Sequence, residues 1–208
     1  MILTPLNNLY PLNLKNISSP PEKLYLKGKL LPQDQKAIAV IGSRNFTLQG
    51  KQMCELFVKE FVKNGFTIVS GLARGIDAIA HQTTLNYSGR TIAVLGCGID
   101  IVYPPENIKL FQQISARGAI LSEFPPGTKP YPKNFLGRNR IVSGLSLAVL
   151  IIEAARRSGT LSTAAHAARQ GREVFVLPFG DGAKYLISQG ATVPENPKQI
   201  IGYLKNFI

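Results

Sequence analysis

Ala37-Ile-Ala-Val-Ile-Gly-Ser-Arg-Asn45 is the stretch on which the fold is decided. Its first five residues are apolar without a polar alternation, and the run is too short for a buried helix. It reads as a strand buried on both faces, the condition of a parallel sheet covered by helices. Gly42-Ser43-Arg44 ends the strand with a tight polar turn, and Thr47 is placed to N-cap a helix. The local unit is therefore strand, turn, helix.

The same unit recurs along the chain. Strands are expected at 37–41, 66–70, 91–95, 119–122, 147–152 and 173–177. Helices are expected at 47–64, 75–86, 105–117, 135–144 and 160–170, with a C-terminal pair near 183–189 and 197–206. Alternation of this kind builds an α/β fold with a doubly wound, mainly parallel sheet and helices on both faces, here over residues 37–208. Residues 1–36 carry Pro5, Pro11, Pro20, Pro21 and Pro32 and little periodicity. They are expected as an extended arm packed on the domain through Tyr10, Leu24, Tyr25 and Leu26.

The chain has 208 residues, enough for one full α/β core. Lys plus Arg outnumber Asp plus Glu by 24 to 12, so an anionic partner such as nucleic acid is favoured. Only Cys54 and Cys97 occur, each inside a structured segment, which supports neither a disulfide framework nor a cysteine-based zinc site. The longest apolar run, Leu147 to Ile152, is too short to cross a membrane, and no export signal opens the chain. A reduced, cytoplasmic location without membrane attachment is the expectation.

In doubly wound sheets ligands sit beyond the carboxyl ends of the strands, so the residues there carry the functional reading. After the first strand of the sheet, Gly42-Ser43-Arg44 offers backbone N–H groups, a hydroxyl and a guanidinium for a phosphate. The second strand runs into Ser70-Gly71-Leu72-Ala73-Arg74-Gly75-Ile76-Asp77, a second loop of phosphate size. Asp77 and His81, four apart on the next helix, are read as a cap and a local hydrogen bond in preference to a proton-transfer pair. Cys97, between Gly96 and Gly98, is read as a small structural cysteine, since no histidine is paired with it in the sequence.

The fourth strand leads through a proline-rich loop to Asn134-Phe135-Leu136-Gly137-Arg138-Asn139-Arg140. Between Phe124 and Ile152 there is no acid, while Lys129, Lys133, Arg138 and Arg140 are interleaved with Tyr131 and Phe135. Cations for phosphates beside aromatic faces for bases are the equipment of single-strand binding. Arg156-Arg157-Ser158-Gly159-Thr160 adds two cations and a helix start after the fifth strand. Several anion sites along one sheet edge fit a repeating polyanion better than one mononucleotide.

Taken in order, Ala39-Val-Ile-Gly-Ser-Arg-Asn45, Val69-Ser-Gly-Leu-Ala-Arg-Gly-Ile-Asp77, Ala93-Val-Leu-Gly96, Ile101-Val-Tyr-Pro-Pro105, Leu121-Ser-Glu-Phe-Pro-Pro-Gly127 and Arg138-Asn-Arg-Ile141 resemble the motifs of the DNA-processing protein A (DprA/Smf) family. The resemblance spans about 20–180. It implies a Rossmann-like domain that forms a homodimer, binds single-stranded DNA without chemistry, cofactor or metal, and helps load a RecA-type recombinase during natural transformation. By position it implies DNA contacts from Gly42, Ser43, Arg44, Asn134, Phe135, Arg157, Ser158, Gly159 and Thr160, with Gly71, Arg74, Gly75, Arg138 and Arg140 helping.

Against the family pattern, neither an N-terminal helical domain nor a C-terminal winged helix is expected to fit in 208 residues. The stretch Leu177 to Ile187 is also shorter than the family's loop, with Lys184 where Asn is expected. Two other readings compete. A nucleoside-monophosphate phosphoribohydrolase shares the fold type, but its Pro-Gly-Gly-x-Gly-Thr-x-x-Glu motif is missing and Glu153 precedes Arg-Arg-Ser-Gly-Thr instead. A small-nucleotide sensor could use the same loops, though it has less need of so many cations.

Overall fold

The computed structural model describes residues 1–156 and 158–207. Its strands are β1 (Ile2–Leu3), β2 (Leu24–Gly28), β3 (Ala37–Ile41), β4 (Thr67–Ser70), β5 (Thr91–Leu95), β6 (Ala119–Ser122), β7 (Ala148–Ile151) and β8 (Glu173–Val176). Its helices are α1 (Leu12–Lys15), α2 (Leu48–Lys63), α3 (Ile76–Asn86), α4 (Ile108–Arg117), α5 (Pro132–Gly144), α6 (Gly159–Arg169), α7 (Asp181–Ser188) and α8 (Pro197–Leu204). The strands form one sheet in the order β1-β2-β6-β5-β4-β3-β7-β8.

From β3 to β8 every pairing is parallel, and the six strands expected from the apolar runs are the six found. The chain steps outward from β3 through β4 and β5 to β6, then returns to the other side of β3 with β7 and β8. The order therefore reverses between β3 and β7, and a crevice opens beyond their carboxyl ends.

The unbroken apolar runs follow from burial on both sides. Ala39 and Ile41 face a cluster with Ile141, Val142, Ala164 and Ala183 from α5, α6 and α7. Ile38 and Val40 face a second cluster with Phe57, Phe61, Ile76 and Ile200 from α2, α3 and α8. A third cluster packs α4 on β5 and β6 through Phe111, Ile114, Leu95 and Ile120. A polar residue at any of these strand positions would lose its water with no partner.

Residues 1–36 enter the sheet. β2 pairs antiparallel with β6, Tyr25 opposite Ser122 and Gly28 opposite Ala119, and β1 pairs antiparallel with β2. Leu24 and Leu26 are buried and Tyr10 donates its hydroxyl to the Pro21 carbonyl at 2.9 Å. The helix expected from 135 begins at Pro132, whose fixed φ suits a first helical turn after extended Tyr131. The helix expected from 105 opens with a 3-10 turn, Pro105–Asn107, before α4.

Candidate nucleic-acid interface

The crevice at the strand reversal is a cavity of about 830 Å³. Its walls include Gly42 to Asn45 after β3, Gly71 and Ala73 after β4, Tyr103 after β5, Phe135 and Arg138 of α5, and Glu153 to Thr160 after β7, Arg157 lying outside the described residues. Four sequence-distant loops and one helix thus meet at one end of the sheet.

The first loop is braced from two sides. Ser43 Oγ donates to the Asn45 carbonyl at 2.6 Å and accepts from the Asn45 N–H at 3.1 Å, so the hydroxyl shapes the turn. Gly75 has φ +79°, and a Cβ there would collide with the Ser43 carbonyl and sit 2.7 Å from Arg44 Cα. Ile76 N–H donates to the same Ser43 carbonyl at 3.1 Å. Thr160 Oγ donates to the Gly42 carbonyl at 3.3 Å, tying the start of α6 to this turn. Gly75 and Thr160 are thereby placed as braces, and the exposed Arg44 side chain is left to the cavity.

Across the cavity α6 begins with Ser158 in extended backbone and no side chain capping its first turn. Ser158 Oγ instead donates to the Ala155 carbonyl at 2.8 Å, and Asn139 Nδ2 donates to the Gly159 carbonyl at 3.1 Å. The opening N–H groups and positive dipole end of an eleven-residue helix face the same space as Arg44. Exposed Arg156 lines it too. Among the described residues neither Arg44 nor Arg156 forms an ion pair. Arg156 is one of the two cations expected after β7, although the family resemblance assigns a DNA contact only to its neighbour Arg157.

Phe135 is half-buried. A Cβ at Gly96 would lie 2.6 Å from its ring, Tyr103 packs on it with centroids 5.6 Å apart, and the Arg138 guanidinium stands 5.9 Å from its centroid. The ring is held from several sides yet lines the cavity, as a stacking platform requires.

Four further side chains expected as contacts do other work. Arg138 is 5% exposed, donating to the Gly71 carbonyl at 2.8 Å, to the Val94 carbonyl, and to Asn139 Oδ1 at 3.3 Å. Beside it buried Asp77 accepts from the Gly71 N–H at 3.1 Å and the Ala73 N–H at 3.4 Å. Burial pushes the Asp77 carboxyl up and the Arg138 guanidinium down, and each charge partly offsets the other's shift. A Cβ at Gly71 would lie 2.6 Å from the guanidinium and 2.7 Å from the Asp77 carboxylate, so this glycine makes room for both side chains. Arg138 is thus a buried strut under the cavity in place of a surface phosphate contact. Asn134 is also buried, its Nδ2 donating to the Lys129 carbonyl at 3.4 Å to close the turn before α5.

Arg140 is clamped by Glu123 at 2.8 and 2.7 Å and donates to the Ser19 carbonyl at 3.1 Å, which joins β6 to the N-terminal segment. Arg74 is 63% exposed but pairs with Glu106 and does not line the cavity.

Side chains of catalytic type are engaged in the fold as well. Glu153 is buried and accepts from the Thr47 N–H at 2.9 Å and hydroxyl at 3.1 Å, anchoring the start of α2. Burial pushes the Cys97 thiol up to about 11, far from a reactive thiolate. His81 meets the Thr91 hydroxyl at 2.6 Å, and that hydroxyl donates onward to the Ile68 carbonyl at 2.8 Å. Nδ1 must therefore carry the proton. Desolvation, with help from Arg138, lowers the ring to about 3. No group of three or more metal-ligating side chains occurs among the described residues.

The family model for DNA recombination-mediator protein A matches residues 1–205. The chain belongs to the DNA recombination-mediator protein A family. The match is wider than the segment on which the motifs were recognised. Within the family, protein Smf of Synechocystis sp. is 46% identical over 97% of this chain and 53% of its own length. DNA processing protein DprA of Bacillus subtilis is 42% identical over 88% of this chain and 64% of its own length. The chain thus spans about half to two thirds of these relatives.

DprA of Streptococcus pneumoniae superposes with a TM-score of 0.91 at 37% identity, covering 97% of this chain and 73% of that one. DNA processing protein A of Helicobacter pylori, described for its single-stranded DNA binding mode, gives 0.88 at 35% identity over 99% and 96%. The Rossmann-like fold of the DprA family is therefore the fold of this chain. No described helix is long and apolar enough to cross a membrane.

Proposed function

We propose that this chain binds single-stranded DNA in the cavity between β3 and β7 and performs no chemistry on it. The observation that carries the reading is the meeting of Arg44 and Arg156, neither ion-paired among the described residues, with the uncapped start of α6 and the Phe135 ring around one opening. Arginines and helix N–H groups take phosphates, and the ring takes a base. The Helicobacter relative, alike over nearly its whole length, supports the same ligand. Ser43, Gly42, Ser158, Gly159 and Arg157 complete the proposed contact set.

On this reading the chain acts in DNA processing as a cytoplasmic homodimer that shields the strand and hands it to a RecA-type recombinase during recombination or natural transformation. A phosphoribohydrolase would need a free acid beside the sugar, and Glu153 is engaged by Thr47. The cavity volume also suits a mononucleotide, so ligand length is the discriminating variable. The experiment is fluorescence anisotropy with labelled oligo-dT of several lengths, duplex DNA, AMP competition and a salt titration. Affinity that rises with length, prefers single strands and falls with salt supports the proposal. Tight AMP competition without length dependence would replace it with a nucleotide sensor or enzyme.

A further inference from the structure

The cations are not confined to the cavity end of the sheet. At the opposite end, Lys36 precedes β3, Arg90 precedes β5 and Arg117 precedes β6, while Lys29 follows antiparallel β2. Backbone contacts bring them together. Arg90 donates to the Arg117 carbonyl at 3.4 Å and to the Lys29 carbonyl, the Lys29 N–H donates to the Gly118 carbonyl at 3.0 Å, and the Thr67 N–H donates to the Lys36 carbonyl at 2.9 Å. Asn13 Nδ2 reaches the Gln35 carbonyl at 2.9 Å, which sets Lys15 at the end of α1 beside the same row.

Lys15, Lys29, Lys36 and Arg117 are exposed and form no ion pair among the described residues. Asp34, set among them, is held by Arg90 at 2.5 Å and by the Thr67 hydroxyl at 3.0 Å. The carbonyl ends of α2 and α4 also point this way, and Lys63 and Arg117 in their last turns offset that partial negative charge. From β3 to β6 the row crosses three strand spacings of about 4.8 Å, roughly 14 Å. A line of that length matches successive phosphates and exceeds any single small anion.

We propose that this end of the sheet is a second surface for the DNA backbone, taking up a long strand after it leaves the cavity. The inference rests on the cavity binding single-stranded DNA. The two surfaces are separated by the length of β3, about 17 Å at 3.3 Å per residue, beyond a Debye length of about 10 Å at 0.1 M salt. A short oligonucleotide in the cavity neither touches the row nor feels its charge strongly. A long one does both.

The test compares the full chain with its Lys29→Glu, Lys36→Glu, Arg117→Glu triple variant on a short oligo-dT that fills only the cavity and on a long oligo-dT, each across a salt titration. The triple variant should bind the long strand at least tenfold more weakly. Its log-log salt slope should fall by about 2, three contacts at about 0.7 each. Short-strand affinity should stay within about twofold. The milder Lys29→Gln, Lys36→Gln, Arg117→Gln variant should show the same selectivity for the long strand at smaller size, and separates charge from any folding defect.

Unchanged long-strand binding, with short-strand binding still dependent on Arg44, would overturn this inference and leave the cavity reading standing. Equal loss on both lengths would also overturn it, by assigning the row to the general field. If the unaltered chain binds neither strand, both readings fall.

Discussion

Arg44 and Arg138 border the same cavity and have opposite surroundings. Arg44 sits on a turn between strand and helix, exposed and without an ion pair among the described residues. Arg138 lies underneath, buried, near the opposite charge of buried Asp77 and engaged by two backbone carbonyls. The rim offers charge to a ligand, and the base of the cavity spends its charge on joining the loops that form the rim. Residue type does not separate these roles; desolvation does, because a buried guanidinium must satisfy its donors within the protein.

Damage to the base should show first as lost stability. Arg138→Ala leaves Asp77 buried without its counter-charge and frees the Gly71 and Val94 carbonyls. The expected cost is about 1–3 kcal/mol in urea unfolding, the range for leaving a buried acceptor without its donor. Double substitution of Arg138 by Met and Asp77 by Leu should recover part of that loss while leaving the cavity loops less ordered. An Arg138→Ala protein as stable as the parent, with DNA affinity alone reduced, would move Arg138 to the rim and erase the distinction.

His81 probes the base by pH. Its folded value of about 3 lies below the ordinary 6.5, so the unfolded chain takes up a proton between those values that the folded chain does not. Stability from this group is complete above pH 6.5 and falls as pH drops toward 3, by about 1.4 kcal/mol per pH unit. The raised Asp77 carboxyl contributes in the opposite sense, so the informative quantity is a difference between variants. Urea unfolding of the parent and His81→Gln from pH 4 to 7 should show the parent losing more stability on acidification. Parallel curves would mean that the ring is solvated in solution.

Much of this was legible in the sequence, and the part that was not has a definite cause. Ala37 to Ile41 and Leu147 to Ile152 announced doubly covered strands because both faces of a parallel sheet exclude polar side chains. The glycine loops announced the crevice because strand-to-helix turns need close backbone approach. The sequence did not sort the arginines, although one signal was available. Asn134, Arg138, Ile141 and Val142 are spaced i, i+4, i+7 and i+8, the buried stripe of α5, which places Arg138 with the apolar residues. No such signal existed for Arg140, whose partners Glu123 and Ser19 are 17 and 121 residues away. Leu24 to Leu26 gave only a brief apolar pattern after two prolines, and its strand is fixed by β6, far along the chain.

Phe135 stands between the two regions and sharpens the boundary. Its ring rests against Gly96 and Tyr103, yet lines the cavity. Phe135→Ala should weaken oligo-dT binding by about 1–3 kcal/mol if a base stacks on the ring, with the protein still folded under the same conditions. Phe135→Tyr should keep most of the affinity. A collapse in thermal stability with no specific loss of binding would assign the ring to the core.

The rim itself gives the smallest effects and the most specific ones. Arg44→Ala and Arg156→Ala should each leave the unfolding curve unchanged, since neither side chain has an ionic partner among the described residues to lose. Each should lower the log-log salt slope of oligo-dT binding by about 0.7, the counterions released by one phosphate contact on a single strand. Arg74→Ala is the internal control, because its side chain pairs with Glu106 outside the cavity and should leave the slope alone. Equal slopes for Arg44→Ala and the parent would show that exposure at the cavity mouth does not suffice for contact. The DNA path would then have to be sought on the far side of α6, through residues other than Arg44.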